Sequence, residues 1–188
     1  PVVGQTLFNL SPNTLSDKYH SFTGTAWKVI NRGAAVMQPG IGYIIRTPKA
    51  GTWPAPYAVT VVFPYSQPAQ FRGVPTNGTF RSSETMVAGN FYLVGNPYPC
   101  ALDADEFLFL NTHNRAILEG TIYLWTHNSA IKSSGSKYIY VSDDYASYNL
   151  TGGTATSEIA PSASNPRAVN TNAPSGYIAA VQTFFVSA

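Results

Sequence analysis

Short apolar runs, each cut within a few residues by a cluster of Gly, Pro, Asn or Ser, restrict the fold of this chain more than any other feature. The 188 residues include 15 glycines and 14 prolines, and helical periodicity is nearly absent. Runs of that length and spacing form strands joined by turns, as in a β-sandwich or a jelly-roll. The expected fold is therefore all-β. Strands are expected over residues 26–31, 42–47, 57–64, 69–73, 91–95, 121–127, 138–141 and 183–187. The continuous apolar runs at Tyr43-Ile44-Ile45 and Phe184-Phe185-Val186 read as strands buried on both faces.

One short helix is expected over 103–112. Asp103 offers an N-cap, and Asp105 and Glu106 sit near the positive end of the dipole. Phe107, Leu108 and Leu110 supply an apolar side. The helix should end between Asn111 and Asn114. Residues 132–137 and the long polar stretch 152–174 read as loops. No shift in composition divides the chain, so 1–188 is read as one β-rich domain. A faint echo between residues 38–45 and 179–186, with Thr-His-Asn at 112 and again at 126, is what a duplicated half-domain would leave.

Charge narrows the partners. Charged residues make up 11% of the chain, against roughly 25% for an ordinary soluble domain. The net charge is +2, with Lys and Arg too scattered to form a phosphate-binding stripe, so nucleic acid is not an expected partner. No apolar run approaches the ~20 residues that span a bilayer, and the N-terminus lacks a signal-peptide pattern. Beginning at Pro1, the chain reads as a processed product or an excised domain. Cys100 is the lone cysteine; following Pro99 at a turn, it reads as a small buried hydrophobe.

Few residues are arranged for chemistry. Asp103 and Asp105 offer oxygen ligands of the kind calcium takes, but no Asp-x-Asp-x-Asp-Gly loop surrounds them and helix capping accounts for both. Asp143-Asp144 reads as an Asx-type turn. A glycosidase needs two facing carboxylates, and nothing in the spacing of the nine acids favours a pair. His20, His113 and His127 have no metal-ligand spacing. There is no Gly-x-Ser-x-Gly elbow and no phosphate loop. The chain is thus read as non-catalytic and without a cofactor.

The aromatic residues remain. Flat rings complement the apolar faces of sugars and also anchor protein interfaces. Trp53, Tyr57, Tyr145 and Tyr148 are the candidate ligand-binding set, with Trp53 in a Pro-rich loop as the leading member. Trp27 and Trp125 lie inside expected strands and are assigned to the core. Phe184, Phe185 and Val186 form an apolar terminal strand that could add to a neighbouring sheet edge, a route to a surface fibre.

A series of motifs in order carries a family likeness. These are the stretch 37–46 with Gln38-Pro39-Gly40-Ile41-Gly42-Tyr43, the stretch 71–79, and Gly95-Asn96-Pro97-Tyr98-Pro99 followed by Leu102-Asp103-Ala104-Asp105. The stretches 120–127, 144–154 and 173–180 complete the series. Together they resemble the extracellular β-rich, adhesin-type domain of secreted and cell-surface proteins of Bacteroidota, often associated with type IX secretion. Members of that group often end in Gly-Gln-Gly-Phe-Phe-Val, where this chain has Val181-Gln182-Thr183-Phe184-Phe185-Val186. The resemblance implies an extracellular structural or adhesion module whose partners are other copies, neighbouring domains or glycans. It transfers no catalytic residue.

Overall fold

A computed structural model describes residues 4–46, 48–54, 59–126, 132–134, 137–139, 142–156 and 172–188. In chain order the strands are β1 (Tyr19–Phe22), β2 (Trp27–Val29), β3 (Tyr43–Ile45), β4 (Gly51–Trp53), β5 (Val59–Val61), β6 (Phe91–Gly95) and β7 (Leu102–Asp103). They continue as β8 (Thr121–Trp125), β9 (Lys132–Ser134), β10 (Lys137–Ile139), β11 (Tyr145–Asn149), β12 (Gly152–Thr154), β13 (Tyr177–Ile178) and β14 (Thr183–Ser187). Two short α-helices, α1 (Leu7–Leu10) and α2 (Thr112–Ile117), accompany them. The fold is all-β, with every pairing between named strands antiparallel.

The largest sheet has the order β12-β11-β8-β14-β6, and a three-stranded sheet has the order β2-β1-β3. Period-two alternation gives each strand of the large sheet two different faces. On one face Tyr92, Ile122, Phe184 and Val186 are buried, and they pack with Ala104, Leu108 and Ile178 into the main core. The helical segment after β7 covers this face, with Phe107 meeting Phe184 edge to face at 5.4 Å. A second core gathers Leu7, Tyr19 and Met37 under the N-terminal sheet. The Tyr19 hydroxyl there donates to the Ser11 carbonyl at 2.5 Å, so the largest ring of that core buries no unpaired polar group.

A narrow junction links the two sheets. Ile41 bridges Val94 on the outer edge of β6, the Gly42 N–H donates to Leu93 O at 2.8 Å, and Gly95 N–H donates to Gly40 O at 3.0 Å. A Cβ on Gly42 would lie 2.5 Å from the Leu93 Cγ and 2.8 Å from its carbonyl oxygen. Only glycine permits that approach.

The helical segment differs from the single helix expected. Asp103 closes β7 and also caps: its Oδ1 accepts from the N–H groups of Asp105 at 2.9 Å and Glu106 at 3.1 Å. A wide π-helical turn follows over Glu106–Leu110. It ends when the Asn111 N–H reaches back to Glu106 O, and the Asn111 side chain then caps α2 through His113 and Asn114. The region where the helix was expected to stop is therefore where a second one starts.

Other expectations need correction. Residues 69–73 form no strand. The expected loop at 132–137 instead contributes β9 and β10, which pair with each other, and the start of the 152–174 loop is β12. Tyr43–Ile45 is only half-buried, because β3 lies at the rim of its sheet. Phe184, Phe185 and Val186 are buried, as expected. They are not a free edge, however: β14 is paired with β6 on one side and β8 on the other. Cys100 is exposed, since the turn that carries it runs over the surface.

Candidate functional site

The second face of the large sheet is aromatic. Strand β14 places Phe185 at its centre, with Tyr123 of β8 in register beside it. Phe22 and Trp27 reach over from the N-terminal sheet and meet the Phe185 ring edge to face at 5.1 and 5.7 Å. Tyr145 of β11 meets it at 5.9 Å, and Phe91 meets Tyr123 at 5.8 Å. Such edge-to-face pairs contribute about 0.5–1.5 kcal/mol each beyond area burial. The rings thus hold one another in place.

This cluster has a buried floor and an open rim. Phe185 is 8% exposed, whereas Trp27 and Phe91 are each 44% exposed and Trp125 is 41% exposed. Trp125 stands opposite Tyr145 in the β8–β11 register. Burial, then the Asp144 carboxylate, pushes the Tyr145 phenol above its ordinary value. It is therefore a neutral hydroxyl at physiological pH. His20 closes the other end, with its ring 6.4 Å from Trp27. Burial and the neighbouring Lys18 ammonium pull His20 below its ordinary value against the opposing pull of Asp17, so it too is neutral at pH 7. A surface of this kind stacks on flat apolar groups and offers two neutral polar rings at its margin.

The expected ligand-binding set is divided by this arrangement. Tyr145 belongs to the aromatic face. Trp53 sits apart on the β4–β5 hairpin, half-buried, with its indole N–H donating to Lys49 O at 3.0 Å. Tyr148 points to the opposite, core-side face, and its hydroxyl donates to the Asp105 carboxylate at 3.1 Å. Tyr57 lies outside the described residues. Trp27 and Trp125, assigned to the core from sequence, are instead on the open rim. A tryptophan inside a strand shows its face only once the neighbouring sheet is known.

Asp103 and Asp105 are each engaged, in capping and with Tyr148. Among the described residues no group of three or more His, Cys, Asp or Glu side chains could hold a metal ion. A separate cleft of about 290 Å³ opens between α1 and the 95–97 turn, walled by Leu10, Met37, Ile41, Tyr43, Phe71 and Val181 among others. Its walls are mostly apolar, with Gln38, Asn96 and Thr183 among them, and no carboxylate, histidine or cysteine of the described residues lines it. No described helix is long and apolar enough to cross a membrane.

The family model described as Domain of unknown function (DUF8693) matches residues 1–188. The chain belongs to that family. The match covers both sheets, so the aromatic face lies wholly within the DUF8693 domain. The description names no activity, ligand or location. No curated protein and no solved structure matches the chain.

Proposed function

We propose that this DUF8693 domain is a non-catalytic extracellular structural and adhesion module of a bacterial cell-surface protein, and that it docks through its aromatic face. The observation that carries this reading is the half-exposed rim of Trp27, Phe91 and Trp125 around the buried Phe185 ring. Aromatic residues pre-fixed on a rigid sheet are what interface anchors require, because little side-chain entropy remains to be lost on docking. The low charge of the chain and its likeness to Bacteroidota surface domains support the extracellular setting. The partner in this reading is another copy or a neighbouring domain. Light scattering across a micromolar-to-millimolar series tests it, with Trp27→Ala and Trp125→Ala expected to weaken association.

A second reading is a carbohydrate-binding module on the same face. It is favoured by the exposure of Trp27 from the small sheet and Trp125 from the large sheet on one aromatic face, beside a neutral phenol and imidazole. A glycan array read with the wild-type chain and with Trp125→Ala separates the two readings. Hits lost in the variant would favour sugars.

A further inference from the structure

Strand β2 is an edge strand of the small sheet. Among the described residues it pairs with β1 alone. The phase of that ladder is fixed by Ile30 N–H donating to Tyr19 O at 2.8 Å and Thr23 N–H donating to Ala26 O at 3.0 Å. Hydrogen-bonded pairs alternate along an antiparallel ladder, so Ser21 and Lys28 are the bonded pair between these two. The N–H and C=O groups of Trp27 and Val29 therefore point away from β1, and no described strand pairs with them. All three residues of β2 are exposed, Val29 by 50%.

Side chains add a pattern to this backbone template. Trp27 and Val29 lie on the aromatic side of the strand and Lys28 on the other. The one ion pair among the described residues joins Lys18 to Asp17, which leaves Lys28 without an acidic partner there. Two copies paired antiparallel about Lys28 would set the two ammonium groups directly opposite each other, an unfavourable cross-strand pair. Lysine on an edge is a device that natural sheets use against self-pairing. An incoming strand with an acid at that position would meet the same lysine as a complementary charge.

We propose that the outer edge of β2 accepts an extended segment of another protein by strand addition, in which an acidic residue opposite Lys28 is flanked by apolar residues that pack on Trp27 and Val29. The backbone groups of Trp27 and Val29 supply affinity, and Lys28 with the two apolar side chains supplies selection. The inference goes beyond the docking reading above and adds a second kind of partner. It uses the strand edge, whereas association of copies uses the ring faces.

The probe is a pair of synthetic peptides, Thr-Val-Glu-Val-Thr and Thr-Val-Lys-Val-Thr, titrated into the full chain and followed by NMR. The Glu peptide should bind about two- to fivefold tighter than the Lys peptide, and Lys28→Glu should reverse the order. Val29→Pro removes one outward N–H and no bond to β1, and proline is tolerated on sheet edges. It should weaken binding at least about tenfold. Should that variant unfold, amide exchange in the wild-type chain decides: saturating peptide must slow exchange at Trp27 and Val29. Wild-type chain that binds neither peptide, unchanged exchange at those amides, or a folded Val29→Pro variant that binds normally would overturn the proposal. Trp125→Ala serves as the control, because it impairs docking through the aromatic face and leaves the β2 edge intact.

Discussion

The Asn96 carboxamide donates to the carbonyl of Ala179 at 3.0 Å, joining positions 83 residues apart in the chain. The same Nδ2 also serves the carbonyls of Cys100 at 2.9 Å and Ile178 at 3.3 Å, while Oδ1 accepts from the Tyr98 N–H. Asn96 is buried, and its backbone N–H donates to Gln182 O. The Asn-Pro-Tyr-Pro turn is thereby fastened to the turn that leads into β14, which carries Phe185. Replacing Asn96 by Ala should remove its bonds to the buried Ile178 carbonyl and the part-buried Cys100 and Ala179 carbonyls, and cost about 3 kcal/mol. A urea midpoint near that of the wild type would show that these bonds contribute little.

The junction at Gly42 makes a sharper test of packing. Gly42→Ala forces a methyl group into the space held by Leu93. The neighbouring atoms include backbone, which cannot swing aside. A loss of about 1–3 kcal/mol is expected, with the change greatest in near-ultraviolet signals from the Phe22–Phe185 contact. An unchanged thermal midpoint would mean that the two sheets meet less tightly than described.

Strain should be relieved at Val181. This residue holds φ at 56°, a left-handed conformation that costs a β-branched side chain more than most. Val181→Gly removes that strain and adds some unfolded-state entropy, for a net gain of about 1 kcal/mol. A destabilised variant would show that the valine side chain packs against the apolar cleft strongly enough to outweigh its backbone.

Acid should weaken the N-terminal sheet through His20. Its folded-state value is depressed below the ordinary 6.5, with burial the main cause. The unfolded chain then binds the proton more readily. This contribution is complete above about pH 6.5 and is lost as pH falls through the depressed value. The neighbouring charges are Lys18, which deepens the shift, and Asp17, which opposes it. NMR titration should place the His20 midpoint below 6.5. The difference in stability between wild type and His20→Asn should shrink on acidification; a midpoint at or above 6.5 would contradict this.

Much of the framework was legible in the sequence. The spans of β6 and β14 were read at their observed bounds, because both are short apolar runs closed by turn residues and both fill the core. The capping role of Asp103 was legible too, since it depends only on near neighbours. Strand β11 was not: Tyr145-Ala146-Ser147-Tyr148-Asn149 is mostly polar, and its strand character comes from β8 and β12 on either side. Two-residue strands such as β7 and β13 likewise exist only through each other. The site was harder to read than the fold. Trp27 and Trp125 alternate correctly within their strands, but which alternate face stays open is decided by how far the small sheet covers the large one. The Val29–Lys28–Trp27 edge was hidden for the same reason, because an edge is a property of sheet order.

The most direct test of the docking account is static light scattering of the purified chain from micromolar to millimolar concentration, run beside a Trp27→Ala/Trp125→Ala double variant. The account predicts reversible association of the wild-type chain that the variant loses while remaining folded, its thermal midpoint lowered by the lost Trp27 ring contacts. A wild-type chain that stays strictly monomeric over the whole range, or a variant that associates equally well, would contradict the aromatic face as the docking surface.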